Sequence, residues 1–193
     1  MPRRPHTALI LEPTPEVLSP VVSPDGVNAR GALQAFMTWA TSTSRRQDLI
    51  RRSAFPLPED MAAFMVVNQL AYQGAARPTE LADAIRTGRS NLSKVLRRLE
   101  EATMVGRMTN PDDGRETKVA LTPYGREVAQ RIIAASEKDY ADATADWTDS
   151  ERVIFNDLLV RLFLDLDRRM NGEIRRFSNI PWGPSSTHWD PRS

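Results

Sequence analysis

The stretch that decides the fold is Arg86-Thr87-Gly88-Arg89-Ser90-Asn91-Leu92-Ser93-Lys94-Val95-Leu96-Arg97-Arg98-Leu99-Glu100. Leu92, Val95, Leu96 and Leu99 fall at i, i+3, i+4 and i+7, so a helix beginning near Ser90 turns one face inward. Its other side carries Ser90, Asn91, Ser93, Lys94, Arg97 and Arg98. From Arg86 to Arg98 there are five basic residues and no acid. The 193-residue chain has 26 basic and 25 acidic side chains, so its net charge of +1 conceals a local cationic helix in an acidic remainder.

Upstream, Leu81, Ala82 and Ile85 form the inner face of a short helix that Thr79 can cap. Two short helices joined by a tight turn, the second basic and rich in short polar side chains, match a helix-turn-helix. Lys and Arg replace counterions on phosphates, Arg can fork onto guanine, and Asn onto adenine. A solvated cationic face accounts equally well for this helix taken alone. The next segment favours nucleic acid. Met104 to Thr109 and Glu116 to Thr122 contain Val105, Val119 and Leu121 with alternating polar neighbours, as strands do. Asn110-Pro111-Asp112-Asp113-Gly114 between them is a turn by composition. A hairpin directly after such a helix is a wing. Arg115 beside its tip suits a narrow minor groove, and Asp113 suits orienting Arg115 or shaping the turn. A metal role for Asp112 and Asp113 needs further ligands that the sequence does not show.

These pieces together resemble the multiple-antibiotic-resistance regulator (MarR) family of winged helix-turn-helix transcription factors. The resemblance rests on Leu81-Ala82, on Ser90-Asn91-Leu92-Ser93-Lys94 running into Arg98-Leu99-Glu100-Glu101, on Met104-Val105-Gly106-Arg107, and on Pro111-Asp112-Asp113-Gly114-Arg115 before Val119-Ala120-Leu121-Thr122-Pro123-Tyr124-Gly125. The chain departs from the family at Arg86 and Thr103, where glycine is usual, which predicts altered turns at both places. The implied fold is mainly α with a small β-hairpin wing, flanked by N- and C-terminal dimerisation helices. The expected DNA contacts are Thr79, Arg89, Ser90, Asn91, Ser93, Lys94, Arg97, Arg98, Arg115 and Lys118. The resemblance further implies a homodimer on a pseudo-palindromic operator of double-stranded DNA. It also implies release by a small aromatic ligand, for which Phe36, Trp39, Phe64 and Met65 are candidate lining residues, although core packing is the favoured role for each.

Elsewhere the pattern is helical. Leu33, Phe36, Met37 and Ala40, then Leu49 and Ile50, make one apolar stripe from Val27 to about Ser53. Glu59 and Asp60 suit the start of a helix that Gly74 stops. Thr122-Pro123 is an N-cap with proline behind it, and Thr148 to Glu151 a capping box. The stripe after it, Ile154, Phe155, Leu158, Leu159, Leu162, Phe163, Leu166 and Met170, is too apolar for a lone surface helix and points to an interface.

The boundaries read as a Pro-rich extended arm over 1–26, a body over 27–179 and a second arm over 180–193. Within the body the winged helix-turn-helix spans about 55–125, with dimerisation helices over about 27–53 and 123–172. The apolar run Ala8 to Leu11 is too short for a signal peptide, and Ala62 to Ala76 too short for a membrane span, so a cytoplasmic, nucleoid-associated protein is expected. The absence of Cys excludes disulfides, thiolate metal sites and thiol switches. Both histidines, His6 and His188, fall in the arms, which argues against a His-rich metal sensor. No cofactor is expected. No nucleophile–base pair or phosphate-cradling glycine loop suggests an enzyme. The alternative is a ligand- or protein-binding winged-helix module that does not act through sequence-specific DNA binding.

Overall fold

In the computed structural model, the residues described are 12–18, 28–109 and 117–173. They form two compact units, one ending at Ser42 and one beginning at Thr43. In the first unit, α1 (Pro15–Leu18) is a single helical turn, so the N-terminal segment is not extended throughout. Helix α2 (Ala29–Thr41) starts on Asn28, whose side chain accepts from the Gly31 N–H at 2.9 Å. The single helix expected from Val27 to Ser53 is two. Thr38 and Thr41 donate their hydroxyls back to the carbonyls of Gln34 and Met37, and Ser42 leaves the helical region at ψ 129. Hydroxyl side chains that compete for backbone groups in this way weaken the helix where they cluster. The apolar period runs on across the break, which is why it was invisible to that signal.

In the second unit the chain continues as α3 (Thr43–Arg52), α4 (Met61–Gln73), α5 (Pro78–Ala84) and α6 (Arg89–Glu101). A hairpin of β2 (Val105–Thr109) and β3 (Thr117–Leu121) follows, then α7 (Pro123–Ala143) and α8 (Asp149–Arg169). A two-residue strand, β1 (Ala75–Ala76), joins the hairpin to give an antiparallel sheet in the order β1-β3-β2. Its register puts Ala76 against Val119, and Val105 against Leu121. The buried core draws on α3 to α7 and the sheet, with Val66, Val67, Leu81, Val95, Leu99, Met104, Val119 and Val128 wholly enclosed. Between α3 and α7, Arg52 donates to Asp139 at 2.5 Å and to the Ala135 carbonyl at 3.1 Å. Arg131 donates to the Ser53 carbonyl at 2.9 Å.

The helix ends share one device. After α5, the N–H groups of Arg86 and Thr87 return to the carbonyls of Asp83 and Ala82. After α6, those of Thr103 and Met104 return to Glu100 and Leu99. Each is a Schellman closure, which needs a left-handed residue just past the cap. Arg86 (φ 52) and Thr103 (φ 56) supply it. The expected altered turns are therefore corrected: the glycine-type backbone is kept, and the side chains carry the strain. Ala54 (φ 47) closes α3 and Asn171 (φ 53) closes α8 in the same way.

The loop after α6 is held from the far side by the start of α7. Thr122 donates its N–H to the Met104 carbonyl at 3.1 Å and its hydroxyl to the Thr103 carbonyl at 2.6 Å, while capping the Gly125 N–H. A Cβ on Gly125 would lie 1.9 Å from the Met104 carbonyl oxygen, so no other residue fits without moving the backbone. Gly125→Ala is expected to cost more than about 3 kcal/mol, an overpacking clash against backbone rather than a flexible side chain. Thr103→Gly is expected to gain about 1 kcal/mol by removing a β-branched residue from the left-handed region. Thermal unfolding of the two variants checks both signs.

Candidate nucleic-acid interface

Helix α6 is amphipathic, as its sequence requires. Leu92, Val95, Leu96 and Leu99 are each at most 2 % exposed, while Arg89, Ser90, Asn91, Ser93, Lys94, Arg97 and Arg98 face solvent. Burying four aliphatic side chains contributes on the order of 1.5–3 kcal/mol each, enough to fix which way the basic side points. Proline at the first position starts α5, where the Arg77 N–H donates to Glu80 Oε2 at 2.8 Å. Thr79 is thus exposed inside α5 and does not cap it, contrary to the expectation from its sequence.

The exposed polar side chains of α6 fall into two groups. Asn91 donates to the Thr87 hydroxyl at 2.8 Å, and Ser93 donates to the Arg89 carbonyl at 3.0 Å. Arg98 donates from Nε to Asp60 Oδ2 at 2.6 Å, and this hydrogen bond holds its guanidinium pKa above the ordinary arginine value. Just beyond α6, Arg107 on β2 donates to Glu100 at 2.6 Å. By contrast, Arg89, Lys94 and Arg97 have no ion pair with a described residue. On α6 these three cations are free to meet a phosphate. Lys118 is exposed on β3, opposite Met108 on β2. Arg115 and Asp113 lie outside the described residues.

The four aromatic-pocket candidates differ in burial. Phe64 is buried in the core, edge-on to Phe55 at 5.6 Å, and Met65 is half-buried against that core. Phe36 and Trp39, on α2, are exposed, with ring centroids 5.8 Å apart. Among the described residues no cluster of His, Cys, Asp or Glu could hold a metal ion, and no helix is long and apolar enough to cross a membrane. Sequence reading missed Asp60 as a member of this surface, because its partner lies 38 residues away.

An α5–turn–α6 unit backed by a hairpin, with an exposed cationic second helix, defines a winged helix-turn-helix protein. Residues 60–117 match the model described as MarR family, and the chain is a transcriptional regulator of this DNA-binding type. It is 26 % identical over 103 residues to the uncharacterized HTH-type transcriptional regulator YxaD of Bacillus subtilis, a match covering 53 % of this chain and 72 % of that one. The transcriptional regulator Tm0710 of Thermotoga maritima shares the fold at a TM-score of 0.54 and 22 % identity, over 72 % of this chain and 93 % of that one. NadR in complex with 4-hydroxyphenylacetate does so at 0.51 and 21 %, over 75 % and 97 %.

Neutralising one phosphate contributes a slope of about −0.9 to log K against log salt. Arg97→Ala should therefore make the salt dependence of DNA binding shallower by about one unit. Arg107→Ala, whose cation is already matched by Glu100, should leave the slope unchanged. Titrations of a labelled duplex at several salt concentrations read both.

Proposed function

We propose that the protein is a homodimeric transcriptional repressor of the cytoplasm, binding a pseudo-palindromic operator and released by a small aromatic ligand. The observation that carries DNA binding is the outward row of Arg89, Lys94 and Arg97 on a helix whose other face is locked in the core. Arg115, Lys118, Thr79, Ser90, Asn91 and Ser93 complete the proposed contact set, with Asp113 shaping the wing. A dimer sitting on a promoter represses by occupying it.

The homodimer is supported by α8. Its capping box is closed, with Glu151 accepting from the Thr148 N–H at 2.7 Å, so the helix is well begun. Yet Val153, Ile154, Phe155, Leu158, Leu166 and Met170 all stay exposed, and no apolar residue of α8 is buried. A contiguous apolar face of that length marks an interface. In α2, Leu33, Phe36, Met37 and Trp39 are likewise exposed. A twofold dimer would set the half-sites about 10 bp apart, one helical turn of DNA.

The ligand is supported by the neighbour NadR, which binds 4-hydroxyphenylacetate, and by the paired rings of Phe36 and Trp39. Together they favour an aromatic acid.

Leu158→Asp should shift the sedimenting species from dimer to monomer. It should also weaken operator binding at least about 100-fold, because the second half-site no longer adds its share. In a thermal-shift screen of aromatic acids, a true effector should raise the melting temperature with concentration and lower operator affinity. No shift with any of them would remove the ligand from this proposal while leaving the DNA contacts standing.

A further inference from the structure

Asp60 does two things with one carboxylate. Its Oδ1 accepts from the Ala63 N–H at 3.0 Å, capping α4. Its Oδ2 accepts from Arg98 Nε at 2.6 Å. The carboxylate is mostly enclosed and the guanidinium nearly half exposed, so this pair sits at the edge of the cationic face of α6. Capping fixes the carboxylate rigidly, because α4 itself carries five core residues, Ala63, Phe64, Val66, Val67 and Leu70. Arg98 belongs to the last turn of α6, four residues after Lys94 and adjacent to Arg97. The bond therefore ties the C-terminal half of the DNA-facing helix to the rigid start of α4. It also matches one of the five cations of this segment with a full negative charge.

We propose that Asp60 is a positioning residue for sequence recognition: through Arg98 it fixes the roll of α6 in the major groove, and it withholds Arg98 from the phosphates. The inference rests on the DNA-binding reading above and assigns Arg98 a different role within it. A helix held at one azimuth brings the same side chains to the same base edges each time, whereas a helix free to roll can satisfy phosphates on any sequence. Direct readout depends on geometry that simple charge attraction does not supply. The pair thus trades a phosphate contact for discrimination.

The test uses a duplex selected from random DNA by the wild-type protein, and a scrambled duplex of equal length. Affinity for both is measured over a range of salt concentrations, at temperatures where melting shows each variant to be folded. Asp60→Ser keeps a side chain that caps α4 but removes the partner of Arg98. It should lower the ratio of selected to scrambled affinity roughly tenfold, the size of one lost base-pair preference. It should also tighten scrambled binding and steepen its salt slope by about 0.9, since the freed Arg98 reaches a phosphate. A destabilised fold would not raise the slope. Arg98→Gln should lower the ratio in the same way with the slope unchanged.

An unchanged ratio in Asp60→Ser would overturn the proposal. So would a slope shallower by one unit in Arg98→Gln, which would make Arg98 an ordinary phosphate contact. A wild-type protein that selects no common sequence would instead refute the DNA-binding reading on which this rests, and the two failures are distinct.

Discussion

The structure turns on how the recognition helix ends. Helix α6 must stop after Glu101 and send the chain directly into β2, and the left-handed Thr103 makes that reversal. Met104, the next residue, is fully buried; its N–H closes back on Leu99 and its carbonyl receives the Thr122 N–H. Gly125 then lies so close to that carbonyl that α7 can begin in only one place. Recognition helix, wing and long helix are therefore set relative to one another by a few backbone contacts around Met104. Those contacts are local, stiff and hidden from solvent. A surface that reads DNA by shape needs such stiffness, because an error of about 1 Å or a small rotation is felt at the base edges.

The same closure recurs where α3, α5 and α8 end, each time on a residue other than glycine. Left-handed geometry costs an L-residue on the order of 1–2 kcal/mol, so it survives only where the surroundings over-determine it. Behind α3 and α6 the surroundings are the buried Phe55 and Met104, apolar anchors of the kind that accompany this motif. Glycine is thus dispensable for the turn but not for the approach. At Thr103 a side chain is tolerated because it points outward; at Gly125 none is, because the space is already filled by a carbonyl.

What could be read in the sequence was what depends on near neighbours. The period of Leu92, Val95, Leu96 and Leu99, the caps at Thr122 and Thr148, and the alternation in β3 are all decided within a few residues, and the mainly helical fold with a small antiparallel sheet follows from them. The MarR-type segment was legible because several such local signals occur in a fixed order. The break at Ser42 was not, since the apolar stripe passes through it and only hydroxyl back-bonding marks it. Nor was β1, whose two alanines carry no strand pattern and pair only because β3 lies alongside. Thr79 was read as a cap by residue type, but with Pro78 at the first helical position the cap is Arg77, two residues earlier.

The candidate site shows the limit most clearly. Charge told which helix would face a polyanion, but not which of its cations would be free to do so. Arg97 and Arg98 are adjacent, both exposed and alike in composition, yet one is matched by a carboxylate from another helix and the other is not. Asn91 and Ser93 are likewise engaged within their own turn, with bonds that a base or phosphate would have to replace. A hydrogen bond exchanged for another contributes little net affinity, while a free cation meeting a phosphate releases a counterion. Affinity should therefore concentrate on Arg89, Lys94 and Arg97, and selectivity on the side chains whose geometry is already fixed before DNA arrives. The acidic α7 and α8 sharpen the same division: among described residues from Glu137 to Asp167 carboxylates outnumber basic groups, which favours the cationic face of α6 for a polyanion.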